Sequence, residues 1–183
     1  MLITLDNLDS QKLVNDVVIR PLKINKDESG VLVETLRTDW GDVYKDRPFA
    51  MQYYSITPPF LARDESVWHY HPTYQDDRFT AVSGDIVVAV ADWRKDSSTY
   101  GLLNLFYIES DDKPYLIVIP HQTLHGFMVV SDKPGILINF PTGLYNPKEE
   151  GRIPFAEAGI KIGDVAFNWQ LVRDMFKNKA KSV

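Results

Sequence analysis

The sequence predicts an all-β protein, a sandwich or barrel of short strands, with one helix near its C-terminus. Three observations lead to this fold class. Apolar and β-branched segments recur roughly every 8–12 residues through the middle of the chain. Residues that favour turns, chiefly glycine, proline, aspartate and serine, separate these segments. Only residues 165–179 combine helical spacing of apolar residues with sufficient length, and residues 9–16 form a weaker helical pattern.

The strands follow from the alternation and from the turns that end them. A turn at residues 27–30 precedes an alternating strand at residues 31–36, and Pro58 ends the aromatic segment at residues 50–57. Gly84 is predicted at the tip of a hairpin. It joins strands at residues 78–82 and 86–90, and further strands are expected at residues 103–108, 115–119, 127–130 and 136–140.

Length and composition predict one domain over residues 1–183. Residues 1–48 would supply N-terminal strands and a possible dimer arm, residues 49–145 the barrel core, and residues 146–183 an extension with the helix. A hydrophobic fraction of 44% is enough for a core. The chain has no cysteine, which excludes disulfides, thiolate catalysis and zinc sites of the cysteine type.

Charge and hydropathy exclude two classes of partner. The net charge is −5, and no basic stripe of the kind that binds nucleic acid is present. No segment approaches the roughly 18 consecutive apolar residues of a membrane span. The N-terminus lacks the features of a signal peptide, so we expect a protein of the cytoplasm that contacts neither nucleic acid nor membrane.

All four histidines fall in two short clusters about fifty residues apart. Alternate residues of a strand share a face, so His69 and His71 are expected to point inward together. Asp77 follows six residues later, and His125 is expected to face this group from the second cluster, while His121 is expected at the surface. Because histidine titrates near neutrality and binds metals, the pattern predicts one concave site built from two strands.

The order His69-Tyr-His71, Asp77 and Gly84, followed by Pro120 and His125, resembles the two motifs of the cupin superfamily. The resemblance implies a double-stranded β-helix, or jelly-roll, barrel with the site inside its mouth. A more specific resemblance covers most of the chain, and its most distinctive segments are residues 92–101 and 119–127. The other matching segments are residues 30–34, 52–57, 68–71, 82–86 and 141–145.

In these segments the chain resembles the dTDP-4-dehydrorhamnose 3,5-epimerase family. The resemblance implies that His69 is the base that removes a proton beside the C4 keto group of a sugar nucleotide, a task that suits a histidine. It also implies that His125 lines the same pocket and that Tyr145 lies at its rim. The candidate catalytic residues are therefore His69, Asp77 and Tyr145, and the candidate substrate-binding residues are His71, His125, Asn139, Arg63, Arg78, Gln52 and Tyr54.

The chain departs from the family pattern at several positions. Asp77 stands where the family has a lysine that steadies the enolate, with Arg78 beside it, and Asn139 stands where the family has a tyrosine that acts as general acid. Ser66 replaces an arginine three residues before the base, and Arg63 lies nearby. Asp174 is the candidate for the carboxylate that pairs with the base, and Ser29 replaces a phosphate-binding arginine.

Three functions stay open from the sequence. The first is a metal-independent epimerase or isomerase acting on a 4-keto-6-deoxyhexose nucleotide, which needs no cofactor. The second is a metal-dependent cupin enzyme, an isomerase or dioxygenase, in which His69, His71, Asp77 and His125 would bind one divalent metal ion. The third is a sugar-nucleotide-binding protein without activity. The resemblance also implies a homodimer. The strand at residues 31–36 gives this expectation indirect support, because it would otherwise be an exposed edge.

Overall fold

In a computed structural model, the described parts of the chain, residues 2–44 and 48–179, form two β-sheets that lie face to face. The strands are β1 (Leu2–Ile3), β2 (Val18–Pro21), β3 (Ile24–Asp27), β4 (Gly30–Val33), β5 (Tyr53–Thr57), β6 (Val67–Tyr70), β7 (Asp77–Ser83), β8 (Ile86–Asp92), β9 (Leu103–Ile108), β10 (Tyr115–Ile119), β11 (Thr123–Val129), β12 (Gly135–Asn139), β13 (Gly151–Pro154), β14 (Lys161–Ile162) and β15 (Val165–Ala166). The helices are α1 (Gly41–Tyr44), α2 (Phe155–Ala158) and α3 (Trp169–Lys179), with 3-10 turns at Leu8–Ser10 and Pro147–Glu149.

One sheet has six strands in the order β1-β9-β8-β11-β6-β13, and the other has five in the order β2-β10-β7-β12-β5. All neighbours are antiparallel except β1 and β9. The two small sheets β3-β4 and β14-β15 lie outside this pair. The predicted all-β jelly-roll class with a short C-terminal helix is confirmed, although the two main sheets share no strand and do not close into a barrel.

The hairpin predicted around Gly84 is wrong. Strands β7 and β8 belong to different sheets, so Gly84 marks the corner where the chain crosses from one sheet to the other. Its φ of 69° is in the left-handed region, and a Cβ there would lie 2.9 Å from the backbone of Gly135. Glycine is needed here for its conformation and for the close approach of two loops.

Strand β8 is buried on both faces, which explains its continuous apolar sequence. Ile86, Val88 and Val90 face the core between the two sheets. The alternate residues of β8 pack in a second core, under the segment from Phe155 to Val172. Because this segment includes β15, helix α3 begins at Trp169 and not at residue 165 as predicted.

The described helices are all too short or too polar to cross a lipid bilayer.

Residues 9–16, which had the weaker helical pattern, form only the 3-10 turn Leu8–Ser10. The outer face of the five-stranded sheet is covered at one end by α1 and by the chain after β4. At the other end, apolar side chains on β5, β7 and the β3-β4 hairpin stay exposed. They are Tyr54, Ile56, Val82, Val31 and Leu32.

Candidate active site

The two histidine clusters meet on neighbouring strands of the six-stranded sheet. His69 on β6 is the register partner of His125 on β11, and their ring centroids are 5.2 Å apart. His71 follows directly after β6, with its ring centroid 4.8 Å from that of His69 and 5.5 Å from that of His125. The structure therefore brings three of the four histidines into one cluster.

His121, the fourth histidine, lies apart from this cluster. Its Nδ1 is 2.8 Å from Asp76 Oδ1, and its side chain is partly exposed. This position agrees with the surface location expected from the sequence.

A cavity of about 400 Å³ opens between the two sheets beside the cluster. His69, His125 and Arg152 line it from the six-stranded sheet. Asp77 and Tyr53 line it from the five-stranded sheet. Its volume and mixed polar lining are in the range of small-molecule sites.

His69 pairs with Glu150, which precedes strand β13. Glu150 Oε2 lies 2.7 Å from His69 Nε2, and both side chains are mostly buried. Burial and the nearby imidazoles of His125 and His71 lower the pKa of His69 to about 3, so the ring is neutral at pH 7. With Nε2–H donated to Glu150, Nδ1 keeps its lone pair as a proton acceptor.

Asp77 is buried and ionised at the floor of the cavity. Its Oδ2 lies 3.2 Å from His71 Nε2 and 3.2 Å from His125 Nε2, although the latter contact is not aligned as a hydrogen bond. Burial raises the pKa of Asp77, but the two imidazoles outweigh burial and hold the pKa well below its usual range. Burial opposes the charge of His71, yet the hydrogen bond to Asp77 leaves its pKa raised.

A network of amides and one phenol surrounds the other Asp77 oxygen. Gln75 Nε2 and Asn139 Nδ2 donate to Asp77 Oδ1 at 3.1 and 2.9 Å. Asn139 Nδ2 also donates to the Tyr53 hydroxyl oxygen at 2.9 Å. Asn139 Oδ1 accepts from the backbone N–H of Arg78, which fixes the orientation of the amide.

Several predicted site residues lie away from the cavity. Arg78 is buried on the outer side of β7 and donates to the backbone carbonyls of Val43 and Phe140, so the expectation that it binds substrate is corrected. The reason is strand alternation, which turns it away from Asp77. Gln52 is exposed and does not line the cavity.

His71 and Asn139 are buried behind the cavity wall, where they bind Asp77. Neither one lines the cavity, so both position neighbouring groups and do not face a substrate directly. Tyr54, Arg63 and Tyr145 line the cavity. Tyr54 and Tyr145 are 63% and 69% exposed, which places both tyrosines toward the solvent side of the lining.

The sequence reasoning missed Glu150 and assigned its place to Asp174. Asp174 is exposed and accepts a hydrogen bond from Gln170 on its own helix. Glu150 is 81 residues from His69 and becomes its neighbour only because β13 pairs with β6. Arg152 was missed for the same reason. The sequence signal that could have found it is the alternation of β13, in which Arg152 is exposed and Ile153 is half-buried.

The three clustered imidazoles also meet the requirements of a metal site. One ligand atom from each of His69, His71 and His125 lies within 4.8 Å of the others. A ligating histidine usually donates its other ring nitrogen to a carbonyl or carboxylate. His71 Nδ1 lies 2.8 Å from Glu149 O and His125 Nδ1 lies 3.3 Å from Thr123 O, so these two meet that condition through the backbone. His69 meets it through its carboxylate partner.

Known proteins similar to this chain include epimerases. The family model of dTDP-4-dehydrorhamnose 3,5-epimerase matches residues 11–173. The chain is 43% identical over 145 residues to Agl13 of Haloferax volcanii, a probable low-salt glycan biosynthesis epimerase, covering 78% of this chain and 88% of Agl13. It is 30% identical over 159 residues to the spore coat polysaccharide biosynthesis protein SpsL of Bacillus subtilis, covering 86% of this chain and 97% of SpsL.

A solved structure shows the same architecture. The dTDP sugar isomerase of Desulfovibrio desulfuricans superposes with a TM-score of 0.74 at 25% identity, covering 86% of this chain and 92% of the isomerase. The family match spans nearly the whole chain and includes both histidine clusters. The chain therefore belongs to the dTDP-4-dehydrorhamnose 3,5-epimerase family.

Proposed function

We propose that this chain is an epimerase of nucleotide-linked 4-keto-6-deoxyhexoses and that His69 removes the proton beside the keto group. The observation that carries the proposal is the neutral His69 ring, held through Nε2 by Glu150 on the wall of a polar cavity. A carbon beside a carbonyl gives up its proton because the electron pair can move onto the keto oxygen. Glu150 supports the positive charge that His69 gains in this step.

The cavity wall contains polar atoms that need a ligand. Ser55, Gln75 and His125 line the cavity, and two buried atoms of this group, Ser55 Oγ and Gln75 Oε1, have no hydrogen-bond partner among the described residues. Buried polar atoms are nearly always paired, so these two suit the hydroxyl groups of a sugar. Phe79 and Leu137 add apolar surface for the ring and its C6 methyl group.

Two cations at the cavity suit the diphosphate of a sugar nucleotide. Arg63 and Arg152 both line the cavity, and neither forms a salt bridge with residues 2–44 or 48–179. Arginine binds phosphate oxygens in a bidentate manner. The identity of the nucleotide as dTDP, a role in rhamnose synthesis and a cytoplasmic location stay predictions.

The test is proton exchange with solvent. The protein is incubated with dTDP-4-keto-6-deoxyglucose in deuterated buffer, and deuterium at C3 and C5 is followed by NMR. We expect exchange at one or both carbons in the wild type and in His121→Ala, whose side chain lies outside the cavity. His69→Asn should lose exchange. Absence of exchange in the wild type would contradict the proposal.

A second candidate function is a metal-dependent enzyme, and the spacing of the three imidazoles favours it. Asp77 lies outside this group of three, and its Oδ2 would orient His71 and His125 from 3.2 Å. The two candidates compete, because His69 as a ligand is not free to act as the base. Elemental analysis of protein purified without chelator separates them: about one metal ion per chain, lost in His125→Ala, supports this candidate, and a content far below that removes it.

We further infer that two copies of the chain associate through the uncovered part of the five-stranded sheet and the β3-β4 hairpin. Val31 and Leu32 on the hairpin are 66% and 63% exposed, and Ile56 on β5 is 57% exposed. Large apolar side chains exposed on neighbouring elements support an interface, because apolar surface patches often mark one. A second copy, related by a twofold axis, would cover the same surface on each partner.

A further inference from the structure

The proposed reaction requires a second group that transfers a proton. His69 and its partner Glu150 account for removal of a proton, and the group that returns one has still to be identified. Inversion at carbon means that the proton leaves from one face and a new proton arrives at the opposite face. His69 stands on the six-stranded sheet, so the group that returns a proton must reach the substrate from the five-stranded sheet.

Only a few groups on that wall carry a transferable proton. Asp77 is ionised and accepts hydrogen bonds at both oxygens, so it has no proton to give. The amide of Gln75 and the hydroxyl of Ser55 are too weakly acidic to protonate carbon. Three tyrosines that line the cavity, Tyr53, Tyr54 and Tyr145, are the remaining acids. Tyr145 lies on a loop at the rim, and Tyr54 alternates with Tyr53 on β5 and is 63% exposed. Tyr53 is the one whose hydroxyl contacts a fully buried side chain, that of Asn139.

We propose that Tyr53 is the catalytic acid that delivers a proton to the substrate carbon from the face opposite His69. This assignment rests on the proposed epimerase function and names a second residue of the same site. Tyr53 begins β5, where it is the register partner of Asn139, and its side chain lines the cavity. The residue as a whole is 43% exposed, yet its hydroxyl reaches the fully buried Asn139, so the ring runs along the wall from mouth to interior.

The hydrogen bonds leave the Tyr53 proton free for this task. Because the backbone N–H of Arg78 occupies Asn139 Oδ1, the amide must present its NH₂ group to the tyrosine oxygen. Tyr53 therefore accepts from Asn139 and has no acceptor for its own proton among the described residues. Burial and the charge of Asp77 raise the pKa of Tyr53 to about 12, which keeps the hydroxyl protonated before the reaction.

The proton balance closes without a further reactant. His69 Nδ1 takes the proton from carbon, and the C–H electron pair forms the enolate. The Tyr53 O–H bond breaks as a new C–H bond forms on the other face, and the keto group is restored. The resulting tyrosinate oxygen accepts the Asn139 hydrogen bond until solvent returns a proton, while His69 releases its proton to solvent.

The experiment separates proton removal from inversion. Wild type, Tyr53→Phe, Tyr54→Phe, Tyr145→Phe and the control Tyr100→Phe are incubated with dTDP-4-keto-6-deoxyglucose in deuterated buffer. Deuterium is counted separately in recovered substrate and in inverted product, and thermal melting checks the fold. In Tyr53→Phe we expect exchange in recovered substrate to stay within a few-fold of wild type, while inversion falls by about 10²-fold. Tyr100→Phe, at an exposed position outside the cavity, is the control and should keep the wild-type ratio. Tyr54→Phe and Tyr145→Phe test the other two tyrosines of the lining, and inversion should stay coupled to exchange in both.

Three outcomes would overturn the assignment: inversion at the wild-type rate in Tyr53→Phe, loss of inversion in Tyr145→Phe with Tyr53→Phe active, or loss of both exchange and inversion in a folded Tyr53→Phe. Failure of the epimerase proposal looks different, because the wild type itself would then show no exchange. If exchange and inversion depend on His69 but not on Tyr53, the assignment of Tyr53 is wrong and the epimerase proposal stands.

Discussion

Glu150 and His69 are separated by 81 residues in the chain, yet Glu150 Oε2 lies 2.7 Å from His69 Nε2. The pairing of β13 with β6 creates this contact. The carboxylate selects the tautomer of His69 that leaves Nδ1 as the acceptor, and it compensates the charge that forms when Nδ1 takes a proton. Position and charge can be tested separately at this residue.

Glu150→Gln keeps a hydrogen-bonding group next to His69 but removes the negative charge. We expect the rate constant kcat for epimerisation to fall by about 10²–10³-fold with little change in KM, since the charge stabilises the transition state more than the bound substrate. Steady-state kinetics on a 4-keto-6-deoxyhexose nucleotide measure both constants. Asp174→Asn is the matched control and should keep its kcat. If kcat fell in Asp174→Asn and not in Glu150→Gln, Asp174 would be the partner of His69, as the sequence suggested.

The pH dependence of proton exchange should show an unusual base. Burial and the neighbouring imidazoles lower the pKa of His69 to about 3, so the ring stays neutral and able to accept a proton at pH 5. A histidine with an ordinary pKa near 6.5 would be mostly protonated there. We expect kcat/KM to show no acid limb between pH 7 and pH 5, with circular dichroism confirming the fold. An acid limb near pH 6.5 would contradict the lowered pKa of His69.

Some of these features could be predicted from the sequence and others could not. Strand alternation was sufficient to predict an all-β fold, because it is a local pattern. The meeting of His69 with His125 was predicted from the two histidine clusters and from the resemblance to a known family. The hairpin at Gly84 was wrong, because a glycine turn looks the same whether the next strand pairs with the last or crosses to the facing sheet. Glu150 and Tyr53 depend on long-range strand pairing, which one sequence does not encode in any local pattern.

The buried pair of Asp77 and His71 should make stability depend on pH in a defined window. The lowered pKa of Asp77 means that its contribution is present above about pH 3.9 and is lost as the pH falls through the folded value. The raised pKa of His71 means that its contribution is present below about pH 6.5 and is lost as the pH rises through the folded value. The pair should therefore stabilise the fold most between about pH 4 and pH 6.5.

Asp77→Asn should lower the free energy of unfolding by about 3 kcal/mol at pH 5.5, because it leaves a buried imidazole without its charged partner. The loss should be smaller at pH 8.5, where His71 is closer to neutral in the wild type as well. Urea denaturation at the two pH values measures the difference. Asp96→Asn, at an exposed position, is the control, and an equal loss for Asp77→Asn at both pH values would refute the charged pair.

Arg152 should contribute to binding more than to chemistry. Removal of its guanidinium takes a cation from the cavity without touching the carbon that reacts, so Arg152→Ala should raise KM about tenfold and leave kcat within a few-fold. Arg37→Ala is the control, because Arg37 pairs with Asp39 and Glu34 outside the cavity. A fall in kcat at constant KM would show instead that Arg152 acts on the transition state.

The uncovered apolar surface predicts the oligomeric state. If a second copy covers β5 and the β3-β4 hairpin, sedimentation should give twice the chain mass of 21.0 kDa. The double variant Leu32→Asp with Ile56→Asp would place charges in the interface, where burial of an unpaired carboxylate is costly, and should sediment as a single chain. Val165→Asp is the control, since Val165 is similarly exposed on β15, away from this surface. A single-chain mass for the wild type, or a dimer that survives the double variant, would show that the hairpin surface is not the interface.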